Sequence, residues 1–272
     1  MKYTNIINWE WKGKVMRVMT FNLRTDFILD INNRWKHRSD IVYEVIKRYN
    51  CDIIGVQELT EKMLNDIKEN INNYNIVGKA RSQKLFIERN DILVSKKHKI
   101  IEHDTFWLSN NPNKQGSSVW YSMYPRICTT AVIELENNKI IRVYNTHLDC
   151  LLPKAREYGL KKIGEYIEKQ YKKDKLPIIL MGDFNANPNS KLIRNFSNGN
   201  YSTNKFIAVQ EFKKDIYGIS TMSKFRGNKK GYHIDYIFIS EEFKIIDTNI
   251  IDYNKNGKYP SDHYPVIADL EV

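Results

Sequence analysis

The architecture of this chain is clearest in one segment, Pro177-Ile178-Ile179-Leu180-Met181-Gly182-Asp183-Phe184-Asn185. A short apolar run of this kind predicts a buried strand. Alternate residues of a strand point to the same face, so Asp183 and Asn185 are expected on one side, at the carboxyl end of the strand. A carboxylate beside a neutral amide can hold an attacking water and a phosphoryl oxygen together, although the same residues also fit an ordinary turn.

Similar segments recur along the chain, and strand-like and helix-like patterns alternate. Strands are predicted over 17–23, 52–56, 91–96, 129–135, 139–145, 178–181, 233–240 and 266–270. Helices are predicted over 35–49, 61–71 and 154–171, and loops with short helices over 190–226. This alternation favours a single α/β domain over residues 15–272, preceded by an N-terminal extension over residues 1–14.

The composition fits a soluble globular protein with a sizeable core, with 42% hydrophobic and 28% charged residues among 272. No apolar run is long enough to cross a membrane, and the N-terminus lacks the apolar region of a signal peptide. We therefore expect a monomer in the cytoplasm of its host cell, with no membrane partner. The three cysteines are widely spaced and form no Cys-x-x-Cys pair, which argues against a zinc site.

The formal charge of +11 favours a polyanionic partner such as nucleic acid or a phosphorylated substrate. A plainer explanation is also open. The chain is rich in lysine, asparagine and isoleucine together, which is typical of a compositional bias of the whole genome. The charge therefore weighs only slightly towards nucleic acid.

Polar residues of chemical interest lie at the ends of several predicted strands. They are Asn22, Glu58, His147, Asp183 with Asn185, and Asp262 with His263. Each one alone fits an ordinary surface position. Ligand sites in α/β sheets gather at strand ends, so the whole set indicates a site there.

Six motifs, in this order, resemble those of the endonuclease/exonuclease/phosphatase superfamily: Thr20-Phe21-Asn22, Gln57-Glu58, Asn145-Thr146-His147-Leu148, Gly182-Asp183-Phe184-Asn185, Ile234-Asp235-Tyr236 and Ser261-Asp262-His263. The resemblance implies a four-layer α/β sandwich, in which two packed mixed β-sheets are flanked by helices. It also implies hydrolysis of phosphodiesters or phosphomonoesters with a divalent metal, usually Mg²⁺. The segment after Asp183 is most similar to nocturnin-type deadenylases and their bacterial relatives.

The expected metal ligands are Glu58, completed by Asn22 and Asp262, directly or through water. Mg²⁺ prefers hard oxygen ligands, commonly one or two carboxylates with water and substrate phosphate, and Mn²⁺ is a plausible substitute. Glu58 could instead act as an N-cap partner for the helix that follows Thr60.

The expected catalytic residues are His147, Asp183, Asp235 and His263. No activated serine or cysteine is evident, so water should attack directly, with Asp183 orienting or deprotonating it. His263 would contact the phosphate or act as acid–base, and Asp235 would fix its other ring nitrogen. Asp235 could instead be a buried acid that the backbone satisfies.

Substrate contacts are expected from Asn185 and, by the resemblance, from Asn145 and His147. Arg126 is the first choice for a phosphate-binding arginine because a guanidinium binds phosphate through two hydrogen bonds. Arginines of lower priority are Arg24, Arg34, Arg38 and Arg156. Glu88 is a candidate partner of His147.

The function predicted from these residues is Mg²⁺-dependent phosphoester hydrolysis, as a phosphodiesterase or nuclease acting on nucleic acid or nucleotides. Two alternatives remain. One is a phosphatase of a small sugar or inositol phosphate, and the other is an inactive nucleic-acid-binding module. The inactive module is disfavoured because every expected polar position of the motifs is filled.

Overall fold

The computed structural model describes residues 15–84 and 87–272. The predicted N-terminal extension, residues 1–14, lies outside the described residues. The described residues contain twelve strands: β1 Val15–Asn22, β2 Ile53–Gln57, β3 Tyr74–Val77, β4 Ile92–Ser95, β5 Lys99–Trp107, β6 Ile127–Glu134, β7 Ile140–His147, β8 Ile178–Asp183, β9 Ile207–Ala208, β10 Asp235–Ile239, β11 Lys244–Ile250 and β12 Val266–Glu271. They form two six-stranded sheets, with strand orders β11-β12-β1-β2-β4-β3 and β5-β6-β7-β8-β10-β9.

Four α-helices cover the outer faces of the sheets: α1 Ser39–Tyr49, α2 Glu61–Asn70, α3 Pro153–Asp174 and α4 Lys191–Ser197. Three apolar cores separate the resulting layers. The middle core lies between the sheets and contains Val18 of β1 and Ile179 of β8. Met19, the next residue, faces α1 and α2, and this alternation puts both faces of β1 in contact with apolar layers. The predicted four-layer sandwich of two mixed sheets is confirmed.

The helix predicted over 35–49 is shorter than expected, because Arg38 interrupts it. A 3₁₀ turn over Trp35–His37 is followed by α1, which begins at Ser39. The buried guanidinium of Arg38 donates to the carbonyl oxygens of Leu23, Arg24, Asn33 and Pro260. Arg38 therefore links the backbone around the end of β1 through four of its five N–H groups. Within the described residues, no helix has the length and apolar character needed to cross a lipid bilayer.

The directions of the strands place several strand ends at one common end of the two sheets, where polar side chains can gather. β1 runs parallel to β2, and β7 runs parallel to β8, so four carboxyl ends lie at this end. β10 and β12 run antiparallel to their neighbours β8 and β1, so both begin there. The segments that carry the sequence motifs meet at this end.

Candidate active site

Nine of the ten predicted site residues lie at this common end of the sheets. β1 ends at Asn22, β7 at His147 and β8 at Asp183, while Asp235 begins β10 directly opposite Asp183. Glu58 follows β2, and Asp262 and His263 precede β12. Most of these side chains are buried, so their charges must be balanced by one another or by a bound ion.

His263 and Asp235 form the pair that the sequence predicts. His263 Nδ1 lies 2.9 Å from Asp235 Oδ2, and His263 Nε2 lies 3.9 Å from Asp183 Oδ2. Burial acts to lower the pKa of His263, but the charge and hydrogen bond of Asp235 outweigh it and raise the pKa well above its usual value. His263 is therefore a cation held between two acids.

Asp183, Asp235 and His263 also have ligand-type atoms within 4.8 Å of one another, a grouping that can hold a metal ion. The short Nδ1–Oδ2 hydrogen bond accounts for the same closeness without a metal. We interpret these three residues as an acid–imidazole network for this reason.

Asp183 is the carboxyl group at the centre of the site. Its Oδ1 accepts from the backbone N–H of Asn185 at 2.9 Å, and its Oδ2 accepts from Asn22 Nδ2 at 3.1 Å. Burial, followed by the negative charge of Asp235, raises the pKa of Asp183 to about 7. A group that titrates near neutral pH is well matched to accepting a proton from water.

His147 differs from His263 in charge, although the two rings share the site. Asn185 Nδ2 donates to His147 Nε2 at 3.0 Å and to the carbonyl oxygen of Leu148 at 3.2 Å. Burial, followed by the positive charges of Arg126 and Arg81, lowers the pKa of His147 well below its usual value. The site thus combines a neutral imidazole with a cationic one.

The turn after β8 explains how Asp183 and Asn185 reach the same place. Asn185 adopts a left-handed backbone conformation with φ of 49°, and its N–H returns to the Asp183 carboxylate. Gly182 has φ of +147°, and a Cβ atom there would lie 1.9 Å from the carbonyl oxygen of Thr146. The glycine of the motif therefore allows close contact between β8 and β7.

Glu58, Asn22 and Asp262 form an oxygen-rich group next to this network. Glu58 Oε1 accepts from Asn22 Nδ2 at 3.1 Å, and Oε2 accepts from the Thr25 N–H at 3.0 Å. Burial raises the pKa of Asp262, whereas the Thr25 N–H and Arg24 overcome burial at Glu58 and lower its pKa. Thr60 caps α2 with its own side chain, so Glu58 has no capping role.

The same group already attracts a cation. The guanidinium of Arg24 lies 4.0 Å from Glu58 and 3.9 Å from Asp262, and it forms a 2.8 Å ion pair with Asp30. The Glu58 and Asp262 carboxylates are hard ligands that suit Mg²⁺. The amide oxygen of Asn22 accepts from the backbone N–H of Arg24 at 2.9 Å. The residues present therefore fit a divalent metal at this place.

Arg126 directly precedes β6, at the end of the sheet where β7 ends in His147, and its positive charge contributes to the lowered pKa of His147. Its guanidinium is 6% exposed, and Nε is 3.9 Å from Asp149 Oδ2. Among the described residues, this buried Nε has no hydrogen-bond acceptor. A phosphate oxygen could supply one.

Two sequence hypotheses are corrected here. Asn145 is fully buried between the sheets, where Nδ2 donates to the carbonyl oxygens of Val56 and Asp91, and Oδ1 accepts from Gln57. All of its polar groups are used in linking the sheets, so it is not placed to bind substrate. Glu88 pairs with Arg81 at 2.9 Å and not with His147.

The structure places the arginines of lower priority in different surroundings. Arg24 approaches the predicted metal ligands, and its position two residues after Asn22 is the signal that would have ranked it higher. Arg34 pairs with Asp26 at 2.7 Å on the surface side of the same loop. Arg81 was missed, and nothing in its local sequence marks it.

Comparison with known proteins identifies the family and the fold of the chain. The model of the Endonuclease/Exonuclease/phosphatase family matches residues 19–263. A family protein from Bacteroides vulgatus is 26% identical, with a TM-score of 0.85, over 95% of this chain and 99% of its own. The mannosyl-6-phosphatase Bt3783 of Bacteroides thetaiotaomicron is 24% identical, with a TM-score of 0.84, over 94% of this chain and 100% of its own.

The catalytic domain of human Nocturnin is a more distant structural neighbour. It is 16% identical, with a TM-score of 0.74, and the match covers 94% of each chain. At this identity, as for the mannosyl-6-phosphatase, the likeness concerns the fold alone. The family model spans most of the chain and all six motifs, and the chain belongs to the endonuclease/exonuclease/phosphatase family.

Proposed function

We propose that this protein is a Mg²⁺-dependent phosphodiesterase that hydrolyses nucleic acid or nucleotides by direct attack of water. The observation that carries the proposal is the difference in charge between the two histidines on either side of Asp183. A carboxyl group with a pKa of about 7 lies between the cationic His263 and the neutral His147. Phosphoryl transfer needs a proton acceptor and fixed positive charge near the phosphoryl oxygens, and these residues supply both.

In this proposal Asp183 orients the water and takes its proton, and Asp235 holds His263 as a cation facing the phosphoryl group. Mg²⁺ held by Glu58, Asp262 and Asn22 would neutralise negative charge on the phosphoryl group. Both N–H bonds of the Asn185 amide already have acceptors. A phosphoryl oxygen that binds Asn185 must therefore replace His147 as the acceptor, which brings that oxygen next to the His147 ring.

A second function, hydrolysis of a small phosphomonoester, is favoured by one observation. A cavity of about 620 Å³ adjoins Asn185 and is lined by residues that include Arg156, Lys191 and Tyr201. Its volume and polar groups suit a phosphorylated sugar. The mannosyl-6-phosphatase with the same fold gives this alternative a concrete substrate class.

Two chromogenic substrates separate the two functions. Hydrolysis of bis-p-nitrophenyl phosphate and of p-nitrophenyl phosphate would be measured with Mg²⁺, with Mn²⁺ and with EDTA. We expect metal-dependent cleavage of the diester, and a loss of at least about 100-fold in Asp183→Asn, which keeps the shape of the side chain but cannot accept the proton. Cleavage of the monoester alone would favour the phosphatase. Silence on both substrates by the folded protein would contradict the proposal.

A further inference from the structure

The most exposed large apolar side chain among the described residues lies close to the candidate active site. Trp120 is 90% exposed and belongs to the segment between β5 and β6, which ends at Arg126. An indole ring exposed to this extent has a large apolar surface without a protein partner. Single exposed apolar residues are common, so further observations have to show that this one is part of a surface.

The segment that carries Trp120 is fastened to the active site. The carboxylate of Asp149, two residues after His147, accepts from Ser122 Oγ at 3.0 Å and from the Met123 N–H at 3.2 Å. It also accepts from the N–H groups of Leu151 and Leu152 at 2.9 and 2.8 Å. One buried acid therefore holds the segment before β6 against the segment after β7. Trp120 is exposed on an anchored part of the chain.

Trp120 begins a row of aromatic rings that leads onto α3. The rings of Trp120 and Tyr121 meet edge to face at 5.2 Å, and those of Tyr121 and Tyr158 do so at 6.3 Å. We call Trp120, Tyr121 and Tyr158 the aromatic strip. Trp120 keeps most of its ring surface open and can stack with a planar group, whereas Tyr121 and Tyr158 are half-buried.

Lysines alternate with these rings along the first turns of α3. Lys154 Nζ lies 4.8 Å from the centre of the Tyr121 ring, and Lys162 Nζ lies 5.6 Å from that of Tyr158. Lys162 also pairs with Glu165 at 2.8 Å, but Glu165 is exposed and such surface pairs are weak. Lys154 has no carboxylate partner within the described part of the chain.

We propose that the aromatic strip binds the bases of a single-stranded nucleic acid whose backbone continues into the active site. This inference rests on the proposed phosphodiesterase function. An exposed indole next to tyrosine rings and lysines suits a strand in which bases and phosphates alternate. Bases within a duplex are stacked on each other, so only a single strand offers their faces. One sugar ring would cover one aromatic ring and leave the other two unexplained, and the net charge of +11 suits a polyanion.

The test is binding of a 5′-fluorescein-labelled 12-nucleotide oligo(dT) or oligo(rU) by fluorescence anisotropy, in EDTA so that no cleavage occurs. We expect Trp120→Ala to weaken binding about 10-fold and Trp120→Phe, which keeps a ring, to weaken it about 3-fold or less. Lys154→Gln should reduce the slope of log affinity against log salt concentration by about 0.7, as expected for the loss of one phosphate contact.

Two matched variants test whether the loss of any exposed ring or of any lysine charge would have the same effect on binding. Phe212→Ala removes a ring that is 51% exposed in the 3₁₀ turn after β9. Lys172→Gln removes a lysine of the same helix, about 27 Å along its axis from Lys154 at 1.5 Å per residue. Both controls should bind the oligonucleotides within about 2-fold of wild type.

The inference is overturned if wild type does not bind the oligonucleotides, or if Trp120→Ala binds them as wild type does. A change in Trp120→Ala that is confined to the KM for a sugar phosphate also overturns it. Hydrolysis of bis-p-nitrophenyl phosphate by wild type separates the two failures. If wild type cleaves this diester while Trp120→Ala leaves oligonucleotide binding intact, the inference alone fails. If wild type cleaves neither chromogenic substrate, the proposed function fails.

Discussion

Within the described residues, two buried aspartate–histidine pairs share a hydrogen bond, one pair at each end of the sheets. At the site end, His263 Nδ1 lies 2.9 Å from Asp235. At the opposite end, His98 Nε2 lies 2.9 Å from Asp52, beside a cavity of about 560 Å³. The distances are the same, and both histidines are less than a tenth exposed. Lys97 also pairs with Asp52, and the surroundings of the second ring nitrogen differ between the two histidines.

At the end of the sheets opposite the candidate active site, the second ring nitrogen of His98 already has a hydrogen-bond partner. His98 Nδ1 accepts from the backbone N–H of Glu136 at 3.1 Å, so Nε2 carries the proton donated to Asp52, which also accepts from the N–H of Arg17. His98 is therefore a structural link between neighbouring turns. His263 Nε2 faces Asp183 at 3.9 Å and forms no hydrogen bond within the described part of the chain. A candidate catalytic histidine therefore differs from a structural one in the hydrogen-bond partner of its second ring nitrogen. The aspartate–histidine pair alone does not distinguish the two.

Replacing each histidine gives the largest expected contrast. His263→Ala should lower kcat/KM for the diester about 1,000-fold, because the cation facing the phosphoryl group is lost. His98→Asn should keep activity within about 3-fold and lower the free energy of unfolding by about 1–3 kcal/mol, because it disturbs a buried hydrogen-bond network. Mg²⁺-dependent hydrolysis and urea unfolding measure the two effects. Equal losses of activity would remove the distinction between the pairs.

Neutralising the carboxylate of Glu58 tests whether the metal binds at the end of the sheets that carries the candidate active site. Glu58→Gln should weaken Mg²⁺ binding about 10- to 100-fold and lower the rate about 100-fold, because the oxygen group loses a buried charge. Isothermal titration calorimetry with Mg²⁺ and circular dichroism measure binding and folding. Glu61→Gln, which neutralises an exposed acid of α2, is the matched control. Unimpaired turnover by Glu58→Gln would show that the metal lies elsewhere.

Replacing Asp235 should mainly lower activity, and replacing Asp52 should mainly lower stability, as for the histidines that they pair with. Asp235→Asn should lower kcat about 10- to 100-fold, because a neutral amide no longer holds His263 as a cation. Asp52→Asn should leave kcat within about 3-fold and cost about 1–3 kcal/mol of stability, because the amide accepts fewer of the donors around it. Steady-state kinetics and thermal unfolding check both. A silent Asp235→Asn would mean that His263 needs no partner.

A third buried acid, Asp91, has no histidine partner and gives the smallest effect. It pairs with Arg89 at 2.9 Å, yet burial raises the pKa of Asp91 to about 6. Because the folded pKa exceeds the unfolded value of about 3.9, the folded state binds this proton more tightly. The penalty on stability therefore grows as pH rises from about 4 to 6 and is constant above that range.

Asp91→Asn should remove this pH dependence. Between pH 5 and pH 8, wild type should lose roughly 1.4 kcal/mol relative to the variant, about one pKa unit. Urea unfolding of both proteins at the two pH values measures the difference. A stability difference that does not change with pH would place the ionisation of Asp91 outside this range in both states.

The predicted strands show which parts of the fold can be read from sequence. All eight predicted strands occupy interior positions of the sheets, and the four that were missed, β3, β5, β9 and β11, are the four edge strands. Interior strands are covered on both faces and carry apolar runs. Edge strands carry charges that discourage further pairing, as Lys99, Glu102 and His103 do in β5. Their sequences therefore resemble loops.

The α/β class and the acids, amides and imidazoles at the strand ends can be predicted from sequence, because strand periodicity and the motif residues are local properties. The four-layer sandwich followed from the family resemblance. How the polar groups behave depends on contacts made in the folded chain. Asn22 meets Asp183 across 161 residues of chain, and Asn145 is used up by backbone carbonyls of the facing sheet. Whether a histidine is neutral, cationic or structural depends on burial and on charges brought in from distant segments, and no local pattern records those.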